Sequence, residues 1–446
     1  LRGRIATCAL LAAWLLPGVA SGRDFRVGEV EGLLDLSLGY GLLVRTEDRD
    51  ESIIGIANGG DARSVNFDDG DLNYDTGVTS NMVKGSAEIS LRWRNFGAFA
   101  RAVAFYDFEI EDQERTELSH SGERLVGKDV EAREYYLTGS FDLGGVPIQL
   151  RAGDQVVNWG QSTFLRLGVD VINPLDLVAA SQPADTGRDL FIPEGMLWGA
   201  ASLTENFTLE AFYQYDWEET PVAPVGSYLS TNDALGGDGT NFAMLGDGLF
   251  SDQGTHLDAA FGLPPGTLGF DPDFLKIPGR GRDEPRSQGQ WGIALQAFVP
   301  RLNATKFGLH FVNYHSRLPL LSGETADASA VALTSQAAVD ARAAALVQAG
   351  LSPAQAQGAA SLLTVSGLAN ETGYFAGYPE DIQMLGLTFN TATLRTGTLV
   401  AGELSHHFDA PFQILPAVVL QGALSPLLFD PSVGNGPLGS YGPNQT

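Results

Sequence analysis

The feature that most constrains this chain is a rhythm in its connectors. About eleven stretches carry a two-residue period, at residues 33–45, 84–93, 98–108, 130–142, 147–158, 196–203, 207–217, 290–299, 305–316, 381–391 and 398–407. Alternate positions in such a stretch point to opposite faces of a sheet. In 84–93 the split is clean: Lys84, Ser86, Glu88, Ser90 and Arg92 share one parity, and Gly85, Ala87, Ile89, Leu91 and Trp93 the other. Between the stretches, short turns at 95–97, 143–146, 204–206, 300–304 and 394–397 alternate with long connectors. A periplasmic or secreted all-β protein is the alternative, but a soluble sandwich has no reason to collect its turns at one end and its loops at the other. An outer-membrane barrel does, with short periplasmic turns and long outer loops. Strands of about 9 to 11 residues, apolar on one face, also suit a bilayer. Trp93, Tyr106, Tyr215, Trp217 and Trp291 near strand ends suit interfacial girdles. The expectation is an all-β fold, an antiparallel transmembrane β-barrel of about 12 or more strands.

Composition agrees. The 446 residues are long enough for one large closed sheet, and 54 glycines fit a strand-and-turn protein. With 27 Lys plus Arg against 54 Asp plus Glu, the net charge of -27 argues against nucleic acid as a partner. Arg2 and Arg4, an apolar core at 5–16 and small residues at 17–21 read as a signal peptide over 1–20, cut after Ala20, which leaves 21–446 as the barrel domain. Cys8, the single cysteine, falls inside it, so the exported chain uses no disulfides. The chain starts with Leu and lacks a terminal aromatic strand, so the barrel is read as C-terminally incomplete.

Several strings carry a family resemblance. Gly-Asp-Gln-Val-Val-Asn-Trp-Gly-Gln-Ser at 153–162, Ile-Asn-Pro-Leu-Asp-Leu at 172–177, Leu-Glu-Ala-Phe-Tyr-Gln-Tyr-Asp-Trp at 209–217, Tyr-Pro-Glu-Asp-Ile at 378–382 and Leu-Thr-Phe-Asn at 387–390 resemble the proteobacterial family known as domain of unknown function 1302. The similarity runs from about residue 29 to the end. It implies a Gram-negative outer-membrane barrel linked with the handling of hydrophobic compounds.

Strand parity nominates the lumen. Lys84, Glu88, Arg92, Arg101, Asp107, Glu131 or Glu134, Arg133, Arg151, Lys306 and Glu403 are too many charges to face lipid, where Lys or Arg near the midplane costs roughly 2–4 kcal/mol. They either pair with one another or line a polar channel. From Trp159 the period is lost although apolar residues continue, so this stretch must fold back or line a cavity. Asn158, Trp159, Phe164, Asn173 and Asp176 are its constriction candidates. Residues 326–368 are Ala-rich with helical spacing broken by Gly350 and Pro353, a helical hairpin inserted in an outer loop. With Leu249, Phe250, Phe261, Leu263, Phe270, Phe274 and Leu275 it forms a lid over the mouth, or these residues pack on one another. Asp69, Asp71, Asn73 and Asp75 have the every-other-residue spacing that wraps a hard cation, although Tyr74 and Ser80 depart from the EF-hand pattern. A structural Ca2+ or Mg2+ is the one cofactor the sequence invites.

No nucleophile elbow, zinc-protease helix or phosphate loop is present, and His406 and His407 are adjacent, so on a strand they point apart. An enzyme is not expected. The expected function is an outer-membrane channel or transporter for small hydrophobic molecules, with selectivity set by inward loops. Its partners are outer-membrane lipid, lipopolysaccharide and the cargo. The alternative is a closed barrel serving as scaffold or partner to periplasmic or inner-membrane transport components, without an open pore.

Overall fold

The computed structural model describes residues 19–112, 116, 118–161, 168–184, 187–236, 242–393 and 396–446. Twelve strands form one antiparallel sheet in which chain order is spatial order. They are β1 (Val19–Val27), β2 (Val30–Arg45), β3 (Gly77–Trp93), β4 (Phe96–Asp107), β5 (Lys128–Leu143), β6 (Val146–Gln155), β7 (Glu194–Thr204), β8 (Phe207–Gln214), β9 (Gln290–Val299), β10 (Thr305–Tyr314), β11 (Ile382–Ala392) and β12 (Leu399–Phe408). The expected alternation of turns and long loops holds throughout. Gly144 and Gly145 both take positive φ in the β5–β6 turn, as the hairpin turns that follow strand twist require. Among the described residues no ladder joins β1 to β12.

Two departures from the sequence reading have physical reasons. β1 was not expected; its Gly-Arg-Asp-Phe-Arg-Val string has no apolar face, yet it pairs with β2 from Val19 to Val27. The leader expected over 1–20 lies, up to residue 18, outside the described residues. β3 begins at Gly77 rather than Lys84, because near the loops its inner face meets protein and not water, so Met82 is fully buried where a polar residue was demanded.

The outer face is a continuous apolar surface. Leu209, Leu295, Leu309, Leu387 and Leu404 stand in one register row across β8 to β12. Leu295, Leu309, Leu387 and Leu404 are 38%, 47%, 51% and 70% exposed, a contiguous apolar row of the kind that marks an interaction or membrane surface. Toward the long loops Tyr213 pairs with Trp291, and toward the turns Phe307 pairs with Phe389.

The inner face is filled by the connector 156–193. Val169, Val171, Ile172, Val157 and Trp159 are buried against Met196, Phe212, Ala294, Val312 and Met384 from five successive strands, β7 to β11. Burial of each large side chain contributes roughly 1.5–3 kcal/mol. The same connector bonds to β12 at Val169 and to β5 at Asp176. Seven residues of one segment thus meet the Glu403 side chain of β12 and the Arg133 side chain of β5, strands that would stand about 33 Å apart in a flat sheet. The segment is not extended, for Val171 N–H donates to the Val169 carbonyl. The sheet therefore curls around it.

A cap covers the long-loop end. Leu320–Glu324, Gly373–Gly377, Lys276–Asp283 and Phe242–Met244 form a second sheet in that order. The Ala-rich hairpin is present as helices Gln336–Gln348 and Pro353–Glu371, the second started by Pro353 and a reciprocal Ser352–Gln355 capping box. Its apolar residues pack internally: Val339, Leu346, Leu351 and Ala360 meet Leu263, and Phe274 and Leu275 meet Met244, with Phe250 and Phe261 against them. Leu249 and Phe270 remain exposed.

Candidate functional site

The inward charges are met mostly by the connector. Asp189 is buried between Lys84 and Arg101, with both contacts at 2.6 Å, and Glu88 takes Arg101 and Arg188. Burial opposes its charge, but the two cations outweigh that and hold the Asp189 carboxyl down at about 2. Arg133 reaches Asp176 at 2.6 Å and Glu131 at 2.7 Å. A bulge at Arg133 shifts the register of β5, so Glu131 and Glu134 both end on the inner face, each partly buried while their neighbours Ala132 and Tyr135 are exposed. Arg151 lies over the Trp198 and Tyr136 rings at 4.7 and 5.5 Å. Asp107 is buried and accepts from the Asn81 and Ile110 backbone.

Three expected lumen residues sit differently. Arg92 has the inner parity but lies at the turn end, exposed and paired with Glu31. Lys306 is exposed beside a small 70 Å³ cavity shared with Asn158, Trp159, Gln161 and His310. Glu403 accepts the backbone N–H groups of Gln161 and Val169 at 2.7 and 3.2 Å, clamping both sides of 162–167 onto β12. Phe164 lies outside the described residues.

The other constriction candidates build the plug. Trp159 donates its indole N–H to Glu210 at 2.8 Å. Asn173 is buried; its amide donates to the Gln155 and Ile192 carbonyls and its oxygen accepts from Val157 N–H. Asp176 caps the short helix Leu177–Ser181 while binding Arg133. Asn158 is exposed and accepts from Gly160 N–H.

Sequence reasoning missed the tie between cap, plug and wall. Buried Arg317, in the loop after β10, pairs with buried Glu194 on β7 and donates to the Ile172 carbonyl at 3.0 Å. No periodicity surrounds Arg317 or Asp189, so neither could have been picked out. His406 and His407 do point apart: His407 meets the Tyr314 hydroxyl at 2.9 Å, and His406 meets the Phe408 ring edge to face.

Two cavities adjoin the plug, the larger one also lined by the cap at Gly279, Arg282, Tyr374 and Ala376. The larger, about 1040 Å³, is polar, with eight carboxylates including Glu131, Asp154, Asp216 and Glu218 against Lys84, Arg124, Arg133 and Arg282. The smaller, about 330 Å³, is apolar and sits at the loop ends of β2 and β3, lined by Leu43, Met82, Ile110, Val126, Val178 and Leu229 among others. Gln182, Pro221 and Val222 belong to both, so the apolar cavity adjoins the polar one. Its size and lining suit one small apolar molecule with a few polar anchors, here Ser80, Ser181 and Ser227.

The four expected cation ligands are not brought together. A one-turn helix, Asp69–Leu72, replaces the wrapping loop. Asp71 pairs with Arg45, Asn73 donates to the Gly226 carbonyl, and exposed Asp75 pairs with Arg49. Asp69 instead joins Asp68 and Asp252, all three buried, with one carboxylate oxygen from each within 4.8 Å of the others.

A curled antiparallel meander with an apolar outer face, a filled interior and a capped loop end defines a class of β protein. The chain belongs to the family described as a protein of unknown function (DUF1302), whose model matches residues 4–444. No curated protein matches it.

Proposed function

We propose that this chain is an outer-membrane β-barrel that captures a small hydrophobic molecule at its outer mouth for passage inward. The observation that carries this reading is the 330 Å³ apolar cavity beside the polar vestibule. The leucine row on the outer face supports residence in a bilayer, with lipid and lipopolysaccharide as surroundings. The plug opposes free diffusion, so passage requires the connector or cap to shift.

The test is binding of a lipophilic fluorophore such as N-phenylnaphthylamine to the full chain in lipid nanodiscs. Saturable binding is expected for the wild type, weakened roughly tenfold (about 1.4 kcal/mol) when Val178→Trp fills the cavity. Equal binding by both proteins would remove the cavity from the mechanism.

A second reading, a closed barrel acting as scaffold in envelope transport, is favoured by one observation: a hydrophobic core occupies the space inside β7 to β11. Absence of saturable fluorophore binding in both proteins, with insertion confirmed, supports it over the first.

A further inference from the structure

Two outer loops converge on a group of carboxylates that the transport reading does not use. Asp68 and Asp69 come from the β2–β3 loop, and Asp252 from the β8–β9 loop, 0%, 2% and 6% exposed respectively. The loops are stitched together around them: Ala57 N–H donates to the Gly248 carbonyl at 2.7 Å, and the Asn66 side chain pairs with both backbone groups of Met244. Asn58 donates to Asp68 and Asp252 at 3.0 and 3.3 Å, and Gly55 N–H to Asp68 at 2.9 Å. The Ser251 hydroxyl donates to Asp252 at 3.3 Å and the Thr116 hydroxyl to Asp69 at 3.4 Å, all neutral donors facing three buried carboxylates.

A second, independent observation comes from Asp233. It is 1% exposed, and its backbone bonds to the Asn66 carbonyl, two residues before Asp68. Among the described residues, neither of its carboxylate oxygens has a hydrogen-bond partner. Its backbone tie to Asn66 sets it beside the trio, and the charges of Asp69, Asp252 and Asp68 act on it. A buried carboxylate without a hydrogen bond, beside three others, is costly for a fold to keep charged without a counter-ion. Lys276 is near enough to act on Asp252 and Asp233, and one ammonium does not balance four carboxylates.

We propose that Asp68, Asp69 and Asp252, with Asp233 acting directly or through a water, bind one Ca2+ that staples the two loops together. All-oxygen donors from separate segments suit a hard cation with tolerant geometry. Asp233 runs directly into Ala234, Leu235 and Gly236 in the vestibule wall, so the ion also stiffens that wall. This inference is independent of the hydrophobic-cargo reading.

The test is isothermal titration of CaCl2 into the full-length protein in detergent, freed of metal with EDTA and then of EDTA. One saturable site is expected, with a dissociation constant of about 10⁻⁴–10⁻³ M, as in extracellular calcium modules. Asp252→Asn and Asp233→Asn weaken it roughly tenfold or more, whereas Asp75→Asn leaves it unchanged. Asp233→Asn loses the Ca2+-induced rise in melting temperature. No saturable uptake by the wild type, or wild-type affinity in both Asp252→Asn and Asp233→Asn, overturns the proposal.

Discussion

Asp189 shows what single residues could and could not disclose. Parity alone placed Lys84 and Arg101 inside, and the structure buries both. Their shared partner lies in a connector with no period, where neither spacing nor composition marks one aspartate above another. Its depressed carboxyl fixes the sign of a pH effect. A carboxylate held below its unfolded value of about 3.8 adds stability that is fully present above that pH and is lost as pH falls through about 2. In Asp189→Asn buried Lys84 loses this counter-charge and Arg101 keeps only Glu88, which costs roughly 3–5 kcal/mol. Urea unfolding from lipid vesicles at pH 7 should show that loss, and the gap between variant and wild type should narrow as pH is lowered toward 2. A constant gap across the range would mean that packing, not charge, is what Asp189 supplies.

At the scale of elements, strands were legible and the plug was half legible. The two-residue period gave eleven of the twelve strands of the sheet; β1, lacking an apolar face, left no such trace. The Ala-rich hairpin was legible because Gly350 and Pro353 break it where the chain turns. For 156–193 the sequence showed only greasiness without period, which says that a segment is covered but not by what. Its attachment to β12 rests on Glu403, which takes backbone groups from both sides of 162–167. Glu403→Ala leaves the Gln161 and Val169 N–H groups without that acceptor, while Trp159 still holds the segment to Glu210 on β8. Single-channel recordings in planar bilayers should therefore show a nearly silent wild type and brief, flickering openings in Glu403→Ala. A variant as silent as the wild type would mean that the hydrophobic core around Val169 and Ile172 alone keeps the lumen shut.

For the whole molecule, the choice between a membrane barrel and a water-soluble sheet turns on the outer face, and one row of side chains separates them. Leu387 lies at the middle of β11, opposite Leu309 on one side and Leu404 on the other. In water, an exposed leucine at mid-strand can become arginine with a change of about 0.5 kcal/mol or less. In a bilayer the same change near the midplane costs roughly 2–4 kcal/mol, and near an interface about 0–1. Among the described residues no strand pairs with the outer edges of β1 and β12, which sharpens the contrast, because in hydrocarbon each unsatisfied backbone group costs several kcal/mol, so membrane residence demands that those edges be covered. Folding equilibria in lipid vesicles should therefore place Leu387→Arg roughly 2–4 kcal/mol below the wild type. Gln383→Arg, on the same outward parity but one residue inside the loop-end start of β11, should fall within about 1 kcal/mol. Depth dependence of this kind has no source in a soluble sheet, where both positions are simply wet. Two equal and small effects would place this face in water and leave the leucine row as a surface for another protein.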